Sequence, residues 1–315
     1  MKARTTLAAA GLAAALLVLP PLLHAQAPPT QFNRLVEIAS TYDVELNVIY
    51  RTANNWDAKL DIVRPRRAST PTPIVMYFHG GGWTGGTKDS GLMSALPYLE
   101  MGWAVVNVEY RVASVSLAPA AVEDARCAMR WVYRHAKDYN FDLNRLVLTG
   151  NSAGGHLALI GGMLTEDAGL DLGCPGDRGS GPVNTDPLTV AAIVNWYGIS
   201  DVRELLDGPN RRAFAVMWHG SLPNREQIAT QLSPLTYVRP GLPPVMTIHG
   251  DADPTVPYTQ AVRLREALDK AGVPNEFVTV AKGGHGGFSV AENLRIYAAI
   301  RAFLERHVGG GRARS

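Results

Sequence analysis

A serine with small neighbours stands where a predicted strand runs into a predicted helix. Ser152 lies in the run GNSAGG (150–155), directly after the strand predicted at 145–149. Glycine and alanine around the serine let the chain turn sharply and lift its hydroxyl above the carboxyl end of the sheet. The amino end of the following helix favours the negative charge that develops when the oxygen attacks. This context, more than the G-x-S-x-G pattern alone, predicts that Ser152 is a nucleophile.

A second run suits the stabilisation of that negative charge. The residues HGGGW (79–83) follow an apolar strand predicted at 74–78. Three consecutive glycines are poor in a helix or strand, but they allow a loop to turn its N–H groups toward a ligand. We therefore predict an oxyanion hole made by the N–H groups of Gly81, Gly82 and Ala153. The alternative is a glycine-rich turn beside a core histidine. It would require that the HGGGW run and the G-x-S-x-G motif each follow a predicted strand by coincidence.

A nucleophilic serine needs a base that takes its proton, and histidine is the usual one. His285 lies in GGHGG (283–287), after the last predicted strand and before the last predicted helix. The flanking glycines allow its ring to approach Ser152, so this position favours His285 as the base. Four other histidines follow the serine but lie on the nucleophile helix, in an irregular segment, at a strand end and at the end of the last helix: His156, His219, His249 and His307.

The base in turn needs a carboxylate that holds its orientation. The loop after the strand predicted at 245–248 reads HGDADPTVP (249–257) and offers two aspartates. Asp253 is favoured, because it lies beyond the turn and before a proline, where its carboxylate can point back across the end of the sheet. Asp251 is the alternative, and after a glycine it is better suited to bond local backbone N–H groups. Two other acids near strand ends are not on this loop: Asp186 and Asp201.

The residues that would contact a substrate are less evident. Trp83 adjoins the glycine run and is a candidate wall of the pocket, with core packing as the alternative. The irregular segment 207–233 carries Phe214, Met217 and Trp218. This segment would either form a partial cap over the substrate or shield the helix layer, and Trp218 is the second pocket candidate.

These residues depend on strands and helices that alternate along most of the chain. Apolar and β-branched runs predict eight strands, at 44–50, 59–63, 74–78, 103–108, 146–148, 190–196, 245–248 and 276–280. Helical patterns predict helices at 119–139, 152–165, 257–271 and 290–307. The alternation implies an α/β fold with right-handed crossovers and a mostly parallel sheet that has helices on both faces. The first two strands have no helix between them and predict an antiparallel edge.

The motifs together resemble those of a known family. Over residues 45–307 the chain resembles the bacterial α/β-hydrolase esterases related to hormone-sensitive lipase and to exported acetylxylan and feruloyl esterases. This resemblance implies an α/β-hydrolase fold with a small cap, and it assigns Ser152, Asp253 and His285 as the catalytic triad. Asn151 stands where the hormone-sensitive-lipase branch usually has Asp, and the acid motif is HGDAD rather than a DPL-type sequence. Both departures are more similar to the acetyl and feruloyl esterase branch and to the catalytic domains of prolyl-oligopeptidase-type enzymes. The motifs that carry the resemblance are HGGGW (79–83), EYR (109–111), GNSAGG (150–155), HGDADPTVP (249–257) and GGHGGF (283–288).

The resemblance implies hydrolysis of carboxylic esters through an acyl-enzyme, without a metal or organic cofactor. Short acyl esters are the expected substrates, among them acetyl or feruloyl esters of carbohydrate. One alternative is a serine peptidase of the prolyl-oligopeptidase type, but the short stretch between Pro28 and the first predicted strand cannot build the β-propeller that such enzymes usually carry. The other is a non-catalytic binding protein with this fold, a class that typically loses a triad member.

The charge of the chain bears on its partners. Thirty Lys and Arg residues oppose 28 Asp and Glu residues, a formal charge of +2. Two bases and no acid lie in residues 1–27, so 28 bases face 28 acids in the remainder. A neutral chain has no electrostatic footprint for phosphate backbones or anionic lipid, which argues against nucleic acid as a partner. The expected partner is a small-molecule or carbohydrate ester, and the oligomeric state stays open.

The first 27 residues have the three-part pattern of a secretory signal. A basic start precedes an apolar run at 7–19, and the small residues at 25–27 suit a cleavage site. We predict a signal peptide at 1–27, a catalytic domain at 28–308 and a disordered tail at 309–315. The mature protein is then periplasmic or secreted, with no stable membrane insertion. An uncleaved anchor is the alternative, but the apolar run is short for a membrane span.

Export makes the two cysteines of the chain informative. Cys127 lies in a predicted helix and Cys174 in a loop rich in glycine and proline. In an oxidising compartment, two cysteines without other partners predict a disulfide. Two separate thiols are the alternative.

Overall fold

One sheet organises the part of the chain that the structure, a computed structural model, describes: residues 31–174 and 187–309. Within these ranges its strands are β1 (Tyr42–Ala53), β2 (Trp56–Pro65), β3 (Thr72–Phe78), β4 (Ala104–Val108), β5 (Phe141–Asn151), β6 (Ala192–Trp196), β7 (Val245–Gly250) and β8 (Asn275–Val280). They lie in the order β1-β2-β4-β3-β5-β6-β7-β8. β1 pairs antiparallel with β2, and β2 antiparallel with β4, whereas all further pairs are parallel. The predicted α/β class and its antiparallel edge are confirmed.

The helices of the described residues cover both faces of the sheet. They are α1 (Gln31–Thr41), α2 (Leu92–Glu100), α3 (Ala120–His135), α4 (Ala153–Met163), α5 (Ala213–His219), α6 (Arg225–Gln231), α7 (Thr259–Lys270) and α8 (Val290–His307). The four helices that the sequence pattern predicts correspond to α3, α4, α7 and α8. The pattern missed α1 and α2, and it left the segment 207–233 irregular although α5 and α6 lie within it.

The core divides into two layers because successive side chains of a strand point to opposite faces of the sheet. In β3, Ile74, Met76 and Phe78 pack into one layer with α3, α4 and the segment that carries α5 and α6. Val75 packs into the other layer, against α2 and α8. All four side chains are fully buried, which explains why the strand reads as a continuous apolar run.

The predicted disulfide is confirmed. Cys127 of α3 is bonded to Cys174, with an S–S distance of 2.05 Å and a Cα–Cα distance of 5.0 Å. Ion pairs lie beside it, since Asp171 Oδ2 is 3.2 Å from an Nη atom of Arg126 and 2.7 Å from an Nη atom of Arg130. The bond and the ion pairs fasten the segment after α4 to α3.

Two predictions fall on residues outside the described ranges. The signal peptide at 1–27 and all of the tail at 309–315 except Gly309 lie there, so the predicted domain limits stay predictions. Among the described helices, none combines the length and the apolar character needed to cross a membrane.

Candidate active site

The turn at Ser152 adopts a backbone conformation that few residues with side chains adopt. Ser152 follows the last residue of β5 and has φ 57° and ψ −121°. Its N–H donates to the carbonyl oxygen of Trp196 at 2.9 Å, which ties the turn to the end of β6. A Cβ on Gly150 would lie 2.5 Å from backbone atoms of Gly154, and one on Gly154 would lie 2.0 Å from the carbonyl oxygen of Phe78. Close backbone packing therefore requires the glycines of the G-x-S-x-G motif.

Three side chains from three loops form a hydrogen-bonded chain at the carboxyl edge of the sheet. His285 Nε2 lies 2.8 Å from Ser152 Oγ, and His285 Nδ1 lies 2.7 Å from Asp253 Oδ2. A carboxylate only accepts, so Nδ1 donates its hydrogen to Asp253, and Nε2 is left to accept the serine hydroxyl. The Asp253 side chain is fully buried and that of His285 is 20% exposed, so the chain runs from the interior toward solvent. The structure thus brings together the serine, histidine and aspartate that the sequence favoured.

Asp253 accepts more hydrogen bonds than the one from His285. Its Oδ1 accepts from the backbone N–H of Thr255 at 2.7 Å and of Val256 at 3.0 Å. Its Oδ2 also lies 3.1 Å from His249 Nε2, a contact that the sequence analysis missed. Burial alone would raise the pKa of Asp253, but two histidine hydrogen bonds and a backbone N–H hold it well below its usual range. The carboxylate is therefore ionised.

The competing acids have other partners. Asp251 Oδ1 accepts from the backbone N–H of Lys282 at 2.5 Å, the turn role expected from its place after a glycine. Asp201 Oδ2 lies 2.9 Å from an Nη atom of Arg203. Asp186 lies outside the described residues.

The loop after β3 bends back on itself through two glycines with positive φ. Gly81 has φ 119° and Gly82 has φ 60°. A Cβ on Gly81 would lie 2.0 Å from a carbonyl oxygen of the same loop, and one on Gly82 would lie 2.7 Å from Phe214 Cβ. In the described ranges their N–H groups donate to no protein acceptor, and both residues line the same cleft as Ser152. The third predicted donor, the N–H of Ala153, belongs to the first residue of α4, beside the serine.

Trp83 and Trp218 do not wall the cleft, and the prediction that they contact the substrate needs correction. Both side chains are fully buried, and their rings stack with centroids 4.2 Å apart. Stacking beneath the loop removes more apolar surface from water than facing an open cleft would. Phe214 of α5 lines the cleft instead. The segment 207–233 therefore lines the cleft through Phe214 and packs on the helix layer through Trp218, and the partial cap over the substrate stays a prediction.

The cleft has a volume of about 510 Å³ and adjoins a second cavity of about 260 Å³. The two share three side chains: Tyr77, Ser94 and Asn151. The second cavity is rich in aromatic rings, with Trp196, Tyr197, Phe288 and Tyr297 in its wall. A larger cavity of about 650 Å³ lies beside the start of β3 and contains none of the predicted site residues.

The remaining histidines make contacts away from the serine. His156 is fully buried and bonds to Trp83 and to the carbonyl oxygen of Leu232. His219 bonds within α5, and His307 Nε2 at the end of α8 lies 4.0 Å from a carboxylate oxygen of Glu276. The sequence interpretation of His156 as structural agrees with its burial.

An eight-stranded, mostly parallel sheet with a serine at the sharp turn between β5 and α4 defines the α/β-hydrolase fold. The comparison with family models makes the assignment more specific. The BD-FAE family model matches residues 60–268, and the chain belongs to this family.

Relatives and solved structures agree with this assignment. The chain is 26% identical to the esterase LipQ of Mycobacterium tuberculosis over 78% of its own length and 56% of LipQ. A truncated carbohydrate esterase from gut microbiota superposes with a TM-score of 0.69 at 27% identity, over 86% of this chain and 98% of that one. A propionate-bound esterase of Thermogutta terrifontis superposes with a TM-score of 0.69 at 26% identity, over 88% of this chain and 97% of that one. The chain spans only about half the length of LipQ and similar mycobacterial esterases.

Proposed function

We propose that this protein is a serine carboxylesterase whose catalytic triad is Ser152, His285 and Asp253. The observation that carries the proposal is the continuous hydrogen-bonded chain from serine through histidine to a buried carboxylate. This arrangement lets the imidazole take the serine proton while the aspartate stabilises the imidazolium that forms. The esterase names of the relatives and of the solved structures support the same activity.

The reaction follows from the geometry in two half-reactions. Ser152 Oγ attacks the ester carbonyl carbon as its proton passes to His285 Nε2, and the carbonyl oxygen becomes an oxyanion facing the N–H groups of Gly81 and Gly82. Collapse of this intermediate breaks the bond to the alcohol oxygen, which takes the proton from His285 Nε2 and leaves an acyl-serine. Water then attacks the acyl-serine and gives one proton to His285 Nε2. Collapse of the second intermediate breaks the bond to Ser152 Oγ, which takes this proton back from His285, and the carboxylic acid leaves.

The proposed substrates are short-acyl esters, including acetyl or feruloyl esters of carbohydrate. The Phe214 ring and the glycine loop line the cleft beside the serine, which favours small acyl groups there. The adjoining cavity offers the rings of Tyr197, Phe288 and Tyr297, which suit a planar ring with polar substituents. The propionate bound to one solved neighbour and the carbohydrate-esterase name of another support this class.

The test of the proposal compares the wild-type protein with Ser152→Ala on p-nitrophenyl acetate. We expect the variant to lose three or more orders of magnitude in kcat/KM, because the nucleophile is absent. A fluorophosphonate probe should add to Ser152 of the wild type and not to the variant. Hydrolysis at the wild-type rate by the folded variant would refute the triad, and preferential cleavage of aminoacyl-p-nitroanilides would favour a peptidase.

We also propose that the protein is exported and cleaved after residue 25 or 27. The basic start, the short apolar run and the small residues at the cleavage site support this. A disulfide in the mature part of the chain fits an oxidising compartment. N-terminal sequencing of protein recovered from the periplasm or medium tests the proposal, and uncleaved protein confined to the cytoplasm would contradict it.

A further inference from the structure

One buried histidine ties the glycine loop to the nucleophile helix and to the segment 207–233. His156 of α4 has its Nδ1 3.2 Å from the indole Nε1 of Trp83, in the glycine loop. Its Nε2 lies 2.7 Å from the carbonyl oxygen of Leu232, the residue that follows α6. Three separate parts of the chain therefore meet at one imidazole.

The chemistry of the two partners determines where the hydrogen of this ring lies. A carbonyl oxygen only accepts, so Nε2 carries the hydrogen and donates it to Leu232. Nδ1 of the neutral ring is then a lone pair, and it accepts the indole N–H of Trp83. Burial lowers the pKa of His156 to about 4, which keeps the ring neutral where esters are normally assayed.

The contact with Trp83 bears directly on the oxyanion hole. Trp83 follows Gly82 without an intervening residue and has φ 58°, a value that few residues with a side chain adopt. Its ring is fully buried, stacks on Trp218 and meets the His156 ring edge to face, with centroids 4.9 Å apart. The indole N–H is the polar group of this side chain, and His156 Nδ1 is the acceptor it meets in the buried layer.

We propose that His156 is a positioning residue of the oxyanion hole, acting through Trp83. Its Nδ1 lone pair fixes the Trp83 indole, and the indole fixes the N–H groups of Gly81 and Gly82 toward the cleft. This inference rests on the proposed esterase function.

Two isosteric substitutions separate the two bonds of His156. In His156→Asn the side-chain oxygen can take the place of Nδ1 and accept from Trp83, but the side chain does not reach Leu232. In His156→Gln the amide N–H can reach the Leu232 carbonyl, but no acceptor stands where Nδ1 was. Because the bond to Trp83 is the one that positions the oxyanion donors, His156→Asn should keep kcat within about threefold of the wild-type value. His156→Gln should lose about tenfold or more in kcat, with little change in KM.

A second measurement reports on the oxyanion hole itself. A trifluoromethyl ketone forms a tetrahedral adduct with the serine and places a negative oxygen in the hole. Its inhibition constant should rise with His156→Gln in proportion to the loss of kcat/KM, and should change little with His156→Asn. Rates are normalised to the fraction of protein labelled at Ser152 by a fluorophosphonate after complete reaction, which removes any contribution from misfolded protein.

Two further variants complete the design. Trp83→Phe removes the indole N–H and keeps an aromatic ring, so Trp83→Phe combined with His156→Gln should be no slower than the slower single variant. The matched control is His219→Gln, the same substitution at a histidine of equal burial that bonds within α5. It should lower the melting temperature without changing the ketone inhibition constant.

The outcomes are distinct. Equal kcat for the Asn and Gln variants, additive effects in the double variant, or an unchanged ketone constant in His156→Gln would overturn the inference while the wild type still hydrolyses esters. A wild-type protein that neither hydrolyses esters nor reacts with the fluorophosphonate would overturn the proposed function, and the inference with it.

Discussion

His249 and His285 both lie within hydrogen-bond distance of one oxygen of Asp253, Oδ2. His249 Nε2 lies 3.1 Å from Asp253 Oδ2 and 3.1 Å from the carbonyl oxygen of Val256. A carbonyl oxygen only accepts, so Nε2 carries a hydrogen that both oxygens can receive. His249 Nδ1 is buried and has no hydrogen-bond partner within the described residues, so nothing there would accept a second hydrogen. His249 therefore gives Asp253 a second histidine hydrogen bond, in addition to the one from His285.

Replacing His249 should weaken catalysis without weakening substrate binding. In His249→Leu, Asp253 keeps its backbone donors and His285 but loses one donor to Oδ2. A hydrogen bond to a charged group contributes about 1.5–3 kcal/mol, so kcat should fall about 10- to 100-fold with KM nearly unchanged. His249→Gln, whose amide N–H can still reach the carboxylate, is the matched control and should retain more activity. Steady-state kinetics measures both, and a leucine variant as fast as the wild type would contradict the assigned role.

Substitution of the two aspartates in the loop after β7 (249–257) should lower kcat to very different extents. Asp253→Asn puts an amide where His285 Nδ1 needs an acceptor, which favours the wrong histidine tautomer and should cost about 10³–10⁴ in kcat. Asp251→Asn loses only a turn contact to Lys282 and should stay within about fivefold of the wild type. Single-turnover rates with p-nitrophenyl acetate distinguish them. A larger loss from Asp251→Asn than from Asp253→Asn would reverse the assignment of the acid.

The proximity of Ser152, Asp253 and His285 was predictable because each follows a parallel strand. The carboxyl ends of such strands meet at one edge of the sheet, and glycines on either side of two of these residues indicated sharp turns there. The alternation of strands and helices and the place of each residue after its strand were therefore enough to place them near one another. The distances and the tautomer of His285 needed the structure.

What the sequence could not predict depends on packing between distant segments. Trp83 adjoins the glycine loop, and nothing in its neighbours shows that its ring turns inward to stack on Trp218. The bond between His249 and Asp253 crosses a turn whose shape no periodicity reveals. Helix α2 was missed because Pro97 lies inside it, a residue that normally ends a helical pattern.

Stability should increase with pH because two buried histidines are neutral in the folded protein. Burial lowers the pKa of His79 and of His156 to about 4, whereas both return to about 6.5 on unfolding. Between these values the unfolded chain binds more protons, so stability is lost as the pH falls from 6.5 toward 4. Each histidine contributes up to roughly 3 kcal/mol to this loss.

Urea unfolding at a series of pH values measures how the free energy of unfolding changes with pH. The double variant His79→Gln with His156→Asn should make the dependence between pH 4 and 6.5 shallower, because two of the groups that titrate on unfolding are gone, while His219, whose pKa is also lowered by burial, remains. His135→Gln, at a partly exposed histidine for which the side chain is 39% accessible, is the control. A slope in the double variant equal to that of the wild type would contradict the explanation.

Removing the disulfide should lower stability more than activity. The bond between Cys127 and Cys174 closes a long loop, and chain-entropy arguments give it about 4 kcal/mol. Neither cysteine lines the cleft, so Cys127→Ala with Cys174→Ala should unfold at a lower temperature but keep kcat within about twofold. Dithiothreitol should lower the melting temperature of the wild type and leave that of the double variant unchanged. A reductant-insensitive wild type would contradict the prediction.

The length of acyl chain that the enzyme accepts should depend on Phe214. This residue of α5 lines the cleft, and its Cβ would contact a side chain on Gly82, so the ring stands over the glycine loop. Phe214→Ala opens space beside the serine, and each methylene that the space admits is worth about 1–3 kcal/mol of transition-state binding. Butyrate has two more methylenes than acetate, so the ratio of kcat/KM for p-nitrophenyl butyrate to that for the acetate should rise about tenfold or more. Met217→Ala, on the same helix at a side chain 60% exposed and outside the cleft, should leave the ratio unchanged. An equal rise in both variants would show that the helix, rather than the Phe214 ring, sets the limit on acyl length.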